Sequence, residues 1–218
     1  MLAESGFITQ YLSEHFGQDT TMMPKRWKEG REGQVGGETE EWLRWQYFLH
    51  FVEGSLMPIL TVAMILGIMK GPRVPFFIRP VTAMVANRVF SSFVFPNIQS
   101  LLGFLEKQLE TSEGDFLCGK HLTSADVLIS FALVSAKDKV RKPGMRHMNT
   151  SLRASKIQLT IRVLQIAEFG SWPSGDPKVS LPKLYAYIDR LESEPGYKKS
   201  VEKIKEIDSS LGVDFKRF

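Results

Sequence analysis

The six residues Leu122-Thr123-Ser124-Ala125-Asp126-Val127 constrain this chain's fold more than any other segment. A Thr followed three positions later by an acid is a reciprocal helix start. The Thr123 hydroxyl can cap the Asp126 amide while the Asp126 carboxylate reaches back to Thr123, and Leu122 and Val127 stand where a hydrophobic staple needs them. Such a cap is typically worth about 1 kcal/mol. The helix it opens, through Leu128, Ile129, Phe131, Leu133 and Val134, is apolar nearly all round, so it is expected at the buried centre of a bundle. The longest apolar run, Leu56 to Met69, is broken by Pro58 and ended by Lys70. It falls short of the roughly 20 residues a membrane span needs, so a buried helix is preferred to a membrane-lying one.

Helical spacing recurs along most of the chain. Phe7, Ile8, Tyr11, Leu12 and Phe16 share a face of a short helix over 3–16 that Gly17 stops. The polar, glycine-rich stretch 18–39 suits an exposed linker. Trp42, Trp45, Leu49, Val52 and Leu56 mark a long helix that Pro58 should kink or restart. Another helix is expected from about Pro80 with Met84, Val85 and Val89 inward, and Pro96 can open the next, with Ile98, Leu101, Leu102, Leu105 and Leu109 on one face. Pro182 opens a helix with Leu184, Tyr187, Ile188 and Leu191, and Pro195-Gly196 closes it. Tyr197, Val201 and Ile204 give the last one. Residues 157–163 alternate as a strand would. The predicted fold class is all-α.

Composition excludes several functions. Cys118 is the one cysteine, so no internal disulfide or Cys-based zinc cluster can form, and it reads as a spectator thiol. His15, His121 and His147 lack a partner at i+4, so no metal is expected. The net charge of +4 is concentrated in residues 137–156, where Lys137, Lys139, Arg141, Lys142, Arg146, Arg153 and Lys156 face Asp138 alone. His50, Trp42, Trp45, Tyr47 and Phe51 are read as core rather than pocket.

Three segments in this order resemble the glutathione S-transferase family, in its fungal and bacterial branch. Leu2-Ala3-Glu4-Ser5-Gly6-Phe7-Ile8-Thr9-Gln10-Tyr11-Leu12 is similar to the start of the third helix of the family's thioredoxin-like domain. His50-Phe51-Val52-Glu53-Gly54-Ser55-Leu56-Met57-Pro58 is similar to the first helix of its all-helical domain. The Thr123–Asp126 box matches its folding motif and stands ahead of Leu181-Pro182-Lys183-Leu184 and Glu194-Pro195-Gly196-Tyr197. The resemblance implies a remnant of the thioredoxin-like domain over 1–17, a linker over 18–39 and an all-helical domain over 40–218.

It also implies glutathione as co-substrate, with a small hydrophobic electrophile or peroxide as its reaction partner, a homodimer and a cytoplasmic location. Nucleic acid is not an expected partner, and membrane-surface contact is the less favoured reading of the basic stretch. Glu4 and Ser5 are the implied glutathione contacts. A helix N-terminus offers free amides and partial positive charge to the γ-glutamyl carboxylate, and Glu4 can meet the ammonium. No catalytic residue is assigned, because family members place the hydroxyl or thiol that activates glutathione upstream. The expectation is therefore a chain lacking most of the thioredoxin-like domain and inactive by itself. The resemblance fails over about 139–172, where a surface insertion, a basic binding patch and translated intron remain open. The alternative function is a non-catalytic helical module for dimerisation or partner binding.

Overall fold

The computed structural model describes residues 3–71, 74–134, 172 and 174–210, the side chains of the last helix as far as Lys203. The chain order is α1 (Ser5–Phe16), α2 (Glu40–Phe51), α3 (Met57–Met69), α4 (Arg79–Val89), α5 (Phe95–Thr111), α6 (Ser124–Val134), α7 (Pro177–Ser180), α8 (Pro182–Ser193) and α9 (Pro195–Ser210). Among the described residues the only β-type pairings are the isolated bridges Trp27–Glu38 and Phe116–Gly119, so the fold is all-α.

Pro58 and Pro96 each stand in the first turn of an α-helix, α3 and α5, as expected of prolines that restart or open one, and a π-helical turn joins each to the helix before it. A proline lacks an amide, and its ring meets the carbonyl four residues back. Just before Pro58 the chain widens into a π-helical turn, Val52–Leu56, in which the Met57 amide bonds Val52 O. Before Pro96 the turn Phe90–Val94 repeats the device, with the Phe95 amide on Phe90 O. Helices α2 and α3 thus run as one from Glu40 to Met69, long and apolar enough by length and composition to cross a membrane. Its inner side, Trp45, Phe48, Leu49, Val52, Leu56 and Leu60, is packed into the bundle core. One side of the helix thus lines the core, while Leu43, Tyr47, Ile65 and Ile68 on the other are exposed.

Leu184, Tyr187, Ile188 and Leu191 of α8 are buried as their spacing predicts, and so are Ile98, Leu102, Leu105 and Leu109 of α5. Two expectations are corrected. Met84 and Val85 do not face inward: α4 packs on α3 through Thr82 and Ala86, with the Thr82 hydroxyl on Met69 O at 2.9 Å, which turns Met84 to 70% exposure. A small residue allows the closer approach, so Ala86 takes the contact in place of the bulkier pair. Helix α6 is buried on one side, at Ala125, Ile129, Ala132 and Leu133, while Val127 and Phe131 are exposed.

Side chains from neighbouring helices satisfy the helix ends. Glu106 on α5, itself buried, accepts from the Lys183 and Leu184 amides at 2.9 and 2.7 Å and so caps α8. Arg44 on α2 donates to the carbonyls of Gln108 and Thr111 at the end of α5. Free amides and carbonyls at helix ends would otherwise be buried unpaired. The 18–39 segment is held against the bundle. The Met22 carbonyl accepts from the Ser124 amide, the Lys28 amide donates to Gly37 O, and the Arg26 guanidinium lies 4.6 Å from the Trp42 ring centre. A side chain at Gly37 would meet Arg31 O at 2.3 Å, so this turn requires glycine.

The proposed insertion 139–172, the alternating 157–163, His147 and the basic side chains of 137–156 lie outside the described residues, apart from Trp172. That residue is buried, edge-on to Phe95.

Candidate functional site

Helix α1 is docked by its small, polar side. Ser13 is buried, its hydroxyl 2.7 Å from Ser124 Oγ, and Ser124 Oγ also accepts from the Trp45 indole at 2.9 Å. Gly6 brings the first turn near Leu49 O and the Glu53 side chain, both 3.5 Å from where a Cβ would stand. The stripe of Phe7, Tyr11, Leu12 and Phe16 is left outward. Helix α1 therefore holds its place through Ser13 and its close glycine, while the stripe the periodicity marks is free to meet something else.

The N-terminus so positioned is exposed and open. Ser5 is its first residue, and the first intrahelical bond runs from the Ile8 amide to Glu4 O, which leaves the Ser5, Gly6 and Phe7 amides at the helix mouth. Glu4 sits at φ 69°, ψ 116° and makes no side-chain cap. A non-glycine residue in that region carries strain of roughly 1–3 kcal/mol, which persists only where the surroundings hold it. The Ser5 hydroxyl donates to the Glu53 carboxylate on the π-helical turn. Two sequence-expected residues, Glu4 and Ser5, are adjacent at one helix mouth, and a third group, Glu53, stands with them. Sequence reading missed Glu53 because nothing in the helical period places residue 53 beside residue 5. The available signal was the π-helical turn that Pro58 forces, which re-aims the positions before it.

The N-terminus of α6 has the opposite character. Asp126 is fully buried and accepts four hydrogen bonds, from the Thr123 amide (2.8 Å), the Thr123 hydroxyl (2.7 Å), the Leu117 amide (3.1 Å) and the Tyr187 hydroxyl (2.7 Å). The carboxylate reaches back as the capping box predicts. The Thr123 hydroxyl turns to that carboxylate rather than to the Asp126 amide, because the buried acid is the stronger acceptor. Burial pushes the Asp126 carboxyl above its usual range, against the opposing pull of its hydrogen bonds from Thr123, Tyr187 and Leu117. Tyr187 is driven well above the ordinary phenol value by its own burial and by the Asp126 charge.

Cys118 is also buried, and its thiol is pushed up by desolvation first and by Asp126 second. A protonated, enclosed thiol is a poor nucleophile. It lies at the edge of a cavity of about 180 Å³ shared with Thr20, Met23, Lys25, Glu41 and His121, away from Ser5. Of the aromatic residues weighed as pocket or core, Trp45 and Phe51 are buried and Trp42 half-buried, whereas Tyr47 and His50 are exposed. Among the described residues no group of three His, Cys, Asp or Glu could hold a metal ion.

Comparison with known proteins agrees with this architecture. A family model described as the glutathione S-transferase C-terminal domain matches residues 76–155, running past Lys139 into the basic stretch. Glutathione S-transferase 1 of Saccharomyces cerevisiae is 30% identical over 139 residues, covering 64% of this chain and 54% of the relative. The chain thus spans about half the length of that curated relative. The crystal structure of a glutathione S-transferase from Actinobacillus pleuropneumoniae overlays the whole chain and 68% of its own, with a TM-score of 0.50 at 19% identity, a likeness of fold. In sequence over part of its length, and in its all-helical architecture, the chain is similar to glutathione S-transferases.

Proposed function

We propose that these residues form the γ-glutamyl grip and the helical half of a glutathione transferase, which conjugates glutathione to small hydrophobic electrophiles or uses it to reduce peroxides. The observation that carries this reading is the open mouth of α1, with a strained Glu4, an exposed Ser5 and the Glu53 carboxylate beside it. A γ-glutamyl head presents a carboxylate and an ammonium on one carbon. The carboxylate suits the free amides and the helix dipole, and the ammonium suits two acids. On binding, the ligand carboxylate takes the Ser5 hydroxyl from Glu53, which leaves Glu53 and Glu4 for the ammonium. Thiolate formation needs a further group, since a free thiol has a pKa of about 8.5. Cys118 is not that group, and no residue of this chain is proposed for the step.

The test is an amide NMR titration with glutathione, repeated with an analogue lacking the glutamyl α-carboxylate. Ser5, Gly6 and Phe7 amides should shift with the first ligand only, and Ser5→Ala should weaken binding by roughly tenfold, the loss of one hydrogen bond to a charged group. Shifts confined to other parts of the bundle would end the proposal. The proposed assembly is a homodimer, read directly by light scattering.

A further inference from the structure

From Gly54 to Leu105 the chain contains no Asp or Glu, and its charged residues there are Lys70, Arg73, Arg79 and Arg88. The same region carries large exposed apolar side chains. Helices α3 and α4 turn back on each other at Met69–Thr82. In the connection the Phe76 and Phe77 rings pack edge to face and stand 81% and 69% exposed, and Val81, Met84 and Val85 continue the apolar face along α4. Lys70 and Arg88 are exposed on the same two-helix unit, with Lys70 Nζ bonded to Asn87.

Apolar faces of this kind mark contact sites, and charge decides which contact. A second copy of this chain docked on the face would bring like charges together with no carboxylate from Gly54–Leu105 to answer them. An anionic surface answers the two exposed cations, Lys70 and Arg88, at once. Aromatic side chains in the α3–α4 connection and an aliphatic face along α4, with Arg88 seven positions after Val81 and the Lys70 ammonium beside Asn87 and the Phe90 ring, have the chemistry of segments that lie in the headgroup layer.

We infer that the α3–α4 unit docks the protein on an anionic lipid surface, with Phe76 and Phe77 entering the headgroup layer and Lys70 and Arg88 meeting lipid phosphates and carboxylates. This goes beyond the transferase reading and does not depend on it, since neither Glu4 nor Ser5 takes part. The contact is peripheral. The apolar inner side of α2–α3 remains in the core throughout.

The experiment is co-sedimentation of the whole chain with vesicles of phosphatidylcholine alone or of equimolar phosphatidylserine and phosphatidylcholine, across a salt series. Binding is expected on the anionic vesicles and should fall as salt rises, because exposed charges are screened. Two double variants separate the contributions: Phe76→Ser with Phe77→Ser, and Lys70→Glu with Arg88→Glu. The first should abolish binding. The second should weaken it by more than about 25-fold, at roughly fivefold for each cation removed. Circular dichroism on both confirms that the bundle is intact.

Absence of binding by the parent chain overturns the inference. So does full retention by either variant, which would hand the vesicle contact to the basic residues of 137–156. If the phenylalanine variant loses self-association and the parent ignores vesicles, the face belongs to a second copy and the inference is likewise refuted.

Discussion

Helices α6 and α1 begin with the same kind of sequence, a hydroxyl residue and an acid within a few positions of each other, yet their N-termini serve opposite ends. At α6 the acid is buried and accepts from four donors belonging to the Phe116–Thr123 loop and α8. At α1 the acid is exposed and strained, the hydroxyl reaches across to Glu53, and three amides remain open. The first arrangement closes a terminus and ties elements together. The second keeps a terminus ready for an anion. The difference lies in burial, because a donor or acceptor removed from water must be paired within the protein, whereas one at the surface can wait for a ligand.

The sharpest way to break the comparison is at Asp126. Its removal in Asp126→Ala strands the Leu117 and Thr123 amides and the Tyr187 hydroxyl in the core, and should cost about 3–5 kcal/mol in urea unfolding. Because whole-protein stability is roughly 5–15 kcal/mol, much of the fold's margin would go. A loss below about 1 kcal/mol would show that the buried cluster is not the tie described.

The same residue predicts a pH dependence. Burial holds the Asp126 carboxyl above its ordinary value of 3.8, so the native chain keeps a proton that the unfolded chain has released. Stability from this group is full below that value and declines as pH rises through the window up to the native pKa. Urea midpoints of the parent, relative to Asp126→Asn, should therefore fall from acid toward neutral pH. Parallel curves would contradict the assignment.

Next in size is Glu106. Its two bonds to the Lys183 and Leu184 amides serve α8 as the capping box serves α6, but from a different helix. Glu106→Ala should cost about 2 kcal/mol, and Glu106→Gln, which keeps one acceptor, about half of that. Equal losses in the two variants would mean that packing, rather than capping, is what Glu106 supplies.

This contrast between local and distant partners also explains what could be read from the residues alone. The box at Thr123 and Asp126 was legible because its partners lie three positions apart. The buried faces of α5 and α8 were legible because periodicity reports them. Glu106, Arg44 and Tyr187 were not, since each bonds a group more than 60 positions away. Met84 and Val85 were misplaced because hydropathy ranks them above Ala86, and the packing surface instead favours the residue that lets two helices approach. In the candidate site Glu4 and Ser5 were visible through resemblance, while Glu53 became visible only with the π-helical turn in hand.

The smallest effects probe α1 itself. Glycine adopts φ near 69° without a Cβ penalty, so Glu4→Gly should release strain and raise stability by about 1 kcal/mol, or roughly 2–4 °C in Tm for a chain of this size. Ser5→Ala, at an exposed position, should change stability by less than about 0.5 kcal/mol. If α1 is a binding terminus, both variants lose glutathione affinity while folding as well as the parent or better. That inverse pairing of stability and affinity is what a purely structural helix end would not produce. A Glu4→Gly protein that is less stable and binds unchanged would return α1 to the same class as α6, since the strain at Glu4 would then be serving the fold.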